Sequence, residues 1–397
     1  MDKQDRKNVL VVTGWHEQGR LRGIARYAQK HNWHVVTDMV YHSRPLEGWA
    51  GDGIISFLGR DDDYASFLSR FSVPRVDLGL SFPELNIPRV TTDNEAIGVL
   101  AAEHFLDRGF EHFAFVGMWD SQTELERRNA FFERLRRSGF DALDLSHPWE
   151  QHDEYYPWKV YRRWLAEQFS KLAKPLAVFA THDSIASNVI DAARWADLHV
   201  PEQVAVLGIE NDEFACQCAA VPISSIDCNS EELGYQAAAA LDKLMHGETI
   251  EANIERVPPL GVEKRKSTDI LAVRHVAVAR ALRFIWDHYA ESITTDNILA
   301  HVGMSKVGLY NAFDRHLGRS PGQELRRKRM QHAQKLLHTT DLKLAAIAKQ
   351  IGYGSDIAFC NAFKRMFEMT PQQYRFATRA GGGGGGKRPP LKKRKKK

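Results

Sequence analysis

The 397-residue sequence predicts an α/β portion of two lobes followed by an all-α portion with two helix-turn-helix motifs. Three observations point there. Short β-rich runs alternate with amphipathic stretches through the first 270 residues, and one helix-turn-helix pattern is then written twice, 50 residues apart. Charge is segregated as well: residues 1–275 hold 30 Lys/Arg against 42 Asp/Glu, whereas residues 276–380 hold 16 against 8. A net −12 module followed by a net +8 module suits one part kept off phosphate and another drawn to it.

Strands are expected at 8–13, 34–37, 53–57, 75–78, 89–91, 113–116, 177–180 and 204–208, with helices at 19–30, 96–108, 124–138 and 184–196 between them. Strands alternating with helices imply parallel sheets covered on both faces. Ligands of such folds bind at the carboxyl ends of the strands.

The duplication is explicit. Asn311-Ala312-Phe313 returns as Asn361-Ala362-Phe363, and Ser320-Pro321 returns as Thr370-Pro371. In each copy a short apolar helix ends at Gly303 or Gly352, where the turn needs a positive φ. Ser305 or Ser355 then caps a second helix, which buries Leu309 with Phe313, or Phe359 with Phe363, on one face. The opposite face is left for a major groove. A polar, basic helix from about residue 321 to 338 joins the copies.

Composition narrows the function classes. The sequence has no apolar run of about 18 residues, and Met1-Asp2-Lys3-Gln4-Asp5-Arg6-Lys7 lacks the hydrophobic stretch of a secretory signal. Its 4 Cys are too few and too unevenly spaced for a disulfide framework, and Cys216-x-Cys218 lacks the nearby partners of a zinc or redox site. A reduced cytoplasmic protein with no membrane contact is expected. No Gly-x-Ser-x-Gly elbow, phosphate loop or dinucleotide fingerprint is present, which argues against an enzyme. Residues 381–397 are six Gly followed by a run with 8 basic residues and no acid. The Gly stretch spans roughly 13 Å as a coil. The run is read as a disordered non-specific DNA tether, ahead of a nuclear-import-like signal or a cloning scar.

The second copy carries Ile347-Ala348, Gly352-Tyr353, Phe359, Phe363-Lys364-Arg365, Thr370-Pro371 and Tyr374-Arg375. This pattern resembles the DNA-binding domain of the AraC family of transcription regulators. Glu368 stands where that family has Gly, which Gly318 keeps in the first copy. Upstream, Asp52-Gly53-Ile54-Ile55, Thr92-Asp93-Asn94, Thr181-His182-Asp183-Ser184, Val200-Pro201-Glu202 and Pro258-Pro259-Leu260 lead to Arg265-Lys266-Ser267-Thr268. From about residue 8 to 269 the chain is similar to the sugar-binding domain of LacI-type repressors, a type I periplasmic-binding-like fold. The small N-terminal helix-turn-helix of those repressors is not expected, because the first strand opens the sequence.

The resemblance implies a sugar between two lobes, held by carboxylates and a guanidinium with an aromatic face against its C–H surface. The positions that match are Asp93, Arg127, Asp183 and Glu210, with Trp15 as a stacking face. Other roles compete. Asp93 and Asp183 precede helices and could be N-caps, Arg127 could pair with Glu124 or Glu126 on its own helix, and Trp15 could simply pack. His182 replaces a usual Asn, and Glu210 is one methylene longer than the family's Asp.

On the DNA side, sequence choice falls to Lys306, Val307, Tyr310 and Asn311 in the first copy and to Asp356, Ile357, Ala358 and Asn361 in the second. Asn can pair with adenine, and Val, Ile or Ala can meet a thymine methyl. Arg315, Arg319, Lys364 and Arg365 are read as phosphate contacts. The implied protein is a sugar-responsive transcription regulator without a cofactor. Its effector would be a pentose such as D-xylose; its partners would be a double-stranded operator, a second copy of the chain and RNA polymerase. Residues 1–270 would sense and dimerise, and 271–380 would bind DNA, with motifs at about 295–317 and 344–367. An activator is expected. The rival is a constitutive DNA-binding protein whose first domain only dimerises.

Overall fold

The computed structural model describes residues 6–13, 18–41, 45–57, 66–81, 86–117, 121–146, 158–250, 253–273 and 275–379. Trp15 and the 381–397 tail lie outside them. Two six-stranded sheets make two lobes. The first contains β1 (Lys7–Thr13), β2 (Trp33–Val36), β3 (Gly53–Phe57), β4 (Arg75–Asp77), β5 (Arg89–Thr92) and β11 (Ile254–Val257), ordered β11-β5-β4-β3-β1-β2 and parallel throughout. The second contains β6 (His112–Val116), β7 (Ala142–Asp144), β8 (Leu176–Ala180), β9 (Val204–Ile209), β10 (Ser224–Asp227) and β12 (Gly261–Glu263), ordered β12-β10-β9-β8-β6-β7. Only the β10–β12 pair is antiparallel.

Parallel strands are covered on both faces, so their sequences run apolar without alternation. Every residue of β8 and β9 is buried. The chain crosses between lobes three times: after β5, after β10, and from β11 to β12. Strand order reverses beside β1 and β6, so their carboxyl ends open onto the crevice between the lobes.

Four strands escape a reading by apolar runs: β7, β10, β11 and β12, each of three or four residues. β10 reads Ser-Ser-Ile-Asp, yet Ser224 and Ser225 are fully buried. They are tolerated because their neighbourhood is hydrogen-bonded. Ser224 Oγ donates to the Arg265 carbonyl at 3.0 Å, and Ser267 Oγ donates to the Val206 carbonyl at 2.6 Å. The Arg265-Lys266-Ser267-Thr268 run thereby plugs the end of the second lobe.

From residue 276 onward the described chain is helical. An amphipathic helix, Val276–His288, buries Val278, Ala281, Leu282 and Ile285. It packs on the first motif, whose helices are Thr295–Val302 and Lys306–Leu317. The linker helix Pro321–Thr339 leads to the second motif, Leu344–Gln350 and Asp356–Phe367, and to Pro371–Arg379. Ser320 and Thr370 each share reciprocal bonds with a Gln three residues on, which satisfies the orphan donors ahead of Pro321 and Pro371. Among the described residues no helix is long and apolar enough to cross a membrane.

Candidate functional site

The second lobe presents a ring of polar side chains to the crevice. Arg127 sits on the Gln122–Arg136 helix, which crosses the Asn94–Leu106 helix so closely that a Cβ at Gly98 would lie 2.3 Å from the Arg127 carbonyl. That contact fixes where the guanidinium points. Arg127 is 4% exposed; its Nε donates to Asn94 Oδ1 at 3.0 Å and its Nη1 to the Thr181 carbonyl at 3.0 Å. It pairs with neither Glu124 nor Glu126. Glu126 instead grips Arg256 of β11 through two bonds, at 2.7 and 3.0 Å, and so ties the two lobes together. Glu124 turns to His182 Nε2 at 3.5 Å.

His182 is the centre of the ring. Its Nδ1 lies 3.0 Å from Glu210 Oε1, and the ring is thereby held between two carboxylates. Desolvation alone would lower the imidazole, but Glu210 and Glu124 outweigh it and hold His182 charged up to about 9. Against its own burial, Glu210 is kept below the usual carboxylate range by His182 and Arg127. Glu210 has φ +103°, a conformation that non-glycine residues rarely adopt. Such strain is maintained only where the surroundings over-determine it, and functional sites are where it collects.

The other matching positions have mixed roles. Asp93 caps its own helix, accepting from Ala96 N at 2.9 Å, while the adjacent Asn94 faces Arg127. Asp183 is fully buried and accepts from Asp212 N at 2.9 Å; desolvation raises it to about 7. Asn94, Glu124 and His182 were not among the sequence candidates. Only His182 carried a signal, as a departure from the usual Asn. The first lobe contributes a recess at the ends of β1 and β3, lined by Thr13, Arg20, Ser56 and Phe57. Arg20 lies over the Phe57 ring at 4.1 Å. Among the described residues no cluster of His, Cys, Asp and Glu is arranged to hold a metal ion.

The helical part repeats one skeleton. Ser305 and Ser355 accept from the N–H three residues on, each at 3.2 Å. Gly303 and Gly352 take φ +73° and +76°, and Leu309, Phe313, Phe359 and Phe363 are fully buried. Lys306, Val307, Asn311 and Arg315 are exposed on the first recognition helix, with Tyr310 half-buried. Asp356, Ile357, Ala358, Asn361, Lys364 and Arg365 are exposed on the second. Val307 and Ile357, at equivalent positions, are 70% and 71% exposed.

Arg319 departs from the expectation of a phosphate contact. Its guanidinium is spent inside the protein, on Glu324 at 2.5 Å and on Asp107 at 3.5 Å. Arg327 binds the same two carboxylates, and Trp286 Nε1 donates to Glu324 at 3.1 Å. Glu324 is fully buried, yet Arg327 and Arg319 outweigh that burial and hold its carboxyl far below the usual range. Asp107 follows directly on the helix that begins at Asn94, so one helix runs from the crevice to this junction. Asn229, on the crossing after β10, meets His338 of the linker helix at 3.0 Å.

Comparison with known proteins agrees with both halves. Residues 102–268 match the periplasmic binding protein-like domain family, and residues 298–377 match a helix-turn-helix domain family. The chain is 27% identical over 379 residues to the xylose operon regulatory protein of Haemophilus influenzae, covering 89% of this chain and 94% of that one. It is 27% identical over 370 residues to the protein of the same name from Escherichia coli, covering 89% and 92%. A solved structure described as a xylose-binding transcription activator aligns with 94% of this chain and 99% of its own, at TM-score 0.60 and 25% identity. A transcriptional regulator in complex with cellobiose shares the sensor fold over 66% of this chain and 85% of its own, at TM-score 0.53. This chain therefore joins a periplasmic-binding-like domain to an AraC-type helix-turn-helix domain, and it is a transcription regulator homologous to the xylose operon regulatory proteins, not an enzyme.

Proposed function

We propose that the protein senses a pentose, D-xylose first, in the crevice between its lobes and activates a sugar-catabolic operon in the cytoplasm. The observation that carries the reading is the charged ring of Arg127, Glu124, His182 and Glu210, joined by Asn94, at the carboxyl ends of the second-lobe strands. Its two carboxylates face an imidazolium and a guanidinium, so the ring is close to neutral. That suits a neutral polyol, whose hydroxyls both donate and accept, better than a sugar acid. The names of the relatives direct the choice to xylose. Asp93, Asp183, Glu210 and Trp15 are assigned to the same site as Arg127.

Residues 1–270 form the sensing and dimerising unit in this reading, and residues 271–380 form the DNA-binding unit. Sugar draws the lobes together and shifts the crossings that Asn229 and Asp107 connect to the helical domain. The two motifs then settle in successive major grooves, about one turn apart, and a dimer covers four. Lys306, Val307, Tyr310, Asn311, Asp356, Ile357, Ala358 and Asn361 read bases; Arg315, Lys364 and Arg365 hold phosphates. RNA polymerase is the partner that activation requires.

Calorimetry of the full chain against pentoses, hexoses and sugar acids tests the sensor. Heat is expected with D-xylose, and Arg127→Ala should weaken it about tenfold or more by stranding the acceptors on Asn94 and Thr181. No heat with any sugar would leave a constitutive DNA-binding protein. The bond between His182 and Glu210 gives a second readout. His182 stays charged up to about 9, so its contribution is complete at and below the free imidazole value and is lost as pH climbs through 9. Thermal stability should fall between pH 7 and 10, and His182→Gln should flatten that fall.

A further inference from the structure

The junction between the sensor and the helical domain carries more positive charge than it neutralises. Three cations converge on one aromatic ring: Arg108 Cζ lies 4.9 Å, Lys264 Nζ 5.2 Å and Lys328 Nζ 4.8 Å from the centre of Trp286. The carboxylates nearby are taken. Asp107 is bound by Arg319 and Arg327, and Glu324 is bound by the same two and by the indole N–H. Among the described residues neither Lys264 nor Lys328 has a carboxylate oxygen within 4.0 Å, and their two head groups lie within hydrogen-bonding reach of each other. Arg108 commits Nε and Nη1 to the carbonyls of Thr268 and His104 and keeps its charge at the ring.

Trp286 cannot neutralise three charges, because a ring quadrupole attracts each cation only weakly. Desolvation of its head group and the like charges of Lys328 and Arg108 push the Lys264 ammonium down, so a bound anion would hold its proton in place. Lys328 moves down too, through desolvation above all; its contact with Lys264 pulls the other way, and Arg108 adds to the fall. A cationic cluster that repels itself is relieved by an anion.

We propose that Lys264, Lys328 and Arg108, walled by Trp286, form a binding site for a phosphate-type oxyanion that bridges the sensor and the helical domain. Two ammonium groups and a guanidinium edge approach from separate elements, which suits a tetrahedral oxyanion with several charged oxygens. Lys264 follows β12 of the sensor, whereas Lys328 and Trp286 belong to the linker helix and the Val276–His288 helix. An anion held by both halves fixes their relative placement, independently of the sugar crevice. The phosphate could be free, as on a small phosphorylated molecule, or part of a DNA backbone.

The full chain is melted and titrated calorimetrically in sodium phosphate and in sodium chloride of equal ionic strength. Phosphate is expected to raise the melting temperature and to bind, with Lys264→Gln and Lys328→Gln each weakening it about tenfold. In chloride both variants should melt at or above the parent, since each removes repulsion. If free phosphate does not bind, but both variants weaken operator and random DNA alike with a shallower salt dependence, the oxyanion is a backbone phosphate and the site stands. Two results overturn it: identical behaviour in phosphate and chloride with unchanged DNA binding, or variants that melt well below the parent in chloride.

Discussion

Fifty residues apart, the two helix-turn-helix copies repeat a Ser cap, a positive-φ Gly and a pair of buried side chains one helical turn apart. Around that skeleton they diverge. After the first recognition helix the chain reads Gly318-Arg319-Ser320, and Arg319 is drawn into the ion pairs with Asp107 and Glu324. After the second it reads Glu368-Met369-Thr370, where an uncharged Met stands in the place of that Arg. The first copy also shares its core with residue Val273, at the end of the sensor, whereas the second builds its own core with the linker helix and Tyr374. The repeated residues are what such a motif needs in order to fold. The residues that differ record what each copy touches: the first is anchored to the sensor, and the second follows it through the linker helix.

The largest expected effect separates the two cores. Phe363→Ala should cost about 3–5 kcal/mol by emptying the second core. Melting followed by fluorescence and by sugar binding should then show the second copy unfolding first, with the sugar response kept. Simultaneous loss of both would make the helical domain one unit with the sensor. Asp107→Ala leaves Arg319 and Arg327 short of a partner in a half-buried junction, at roughly 1–3 kcal/mol. Footprinting should show the sugar dependence of the first half-site weakened more than that of the second; equal loss would erase the asymmetry.

The reading faces can be compared in the same way. Asn311→Ala and Asn361→Ala should each cost about 1–3 kcal/mol on the operator and little on random DNA, at different half-sites. Lys364→Ala should weaken both DNAs alike and lower the salt slope by roughly one phosphate. An Asn variant that weakens both DNAs alike would be a positioning residue. The smallest effect lies at the turns. Glu368 holds φ +60°, close to the +62° of Gly318. Glu368→Gly should stabilise the second copy by up to about 1 kcal/mol, and Gly318→Glu should cost the first a similar amount. Thermal melts that are unmoved by both would mean the two turns carry no strain.

Much of this molecule is local enough to read from the chain. Buried parallel strands show as apolar runs, helix ends as Ser and Gly, and the duplication as a repeat in print. Strands β7, β11 and β12 are not legible because they are edge strands with few buried residues, and β10 because it is polar; hydrogen bonds between Ser224 and the distant Arg265 and Ser267 make its burial possible. In the crevice, Arg127 was legible by its place in a pattern, and His182 only as a departure from one. Its pairing with Glu124 and Glu210 joins residues from three separate elements.

Periodicity, capping chemistry and net charge act over a few turns of chain, and they suffice to specify two α/β lobes, a doubled helix-turn-helix and the separation of acidic from basic modules. Tertiary structure alone decided that Asp93 caps its helix while Asn94 meets Arg127, that Arg319 turns inward to Asp107, and that residues 108, 264 and 328 gather on Trp286. Those outcomes depend on the direction in which each side chain leaves its helix and on which distant surface it then meets. Packing across the lobes and across the sensor junction sets both, and no local spacing encodes it.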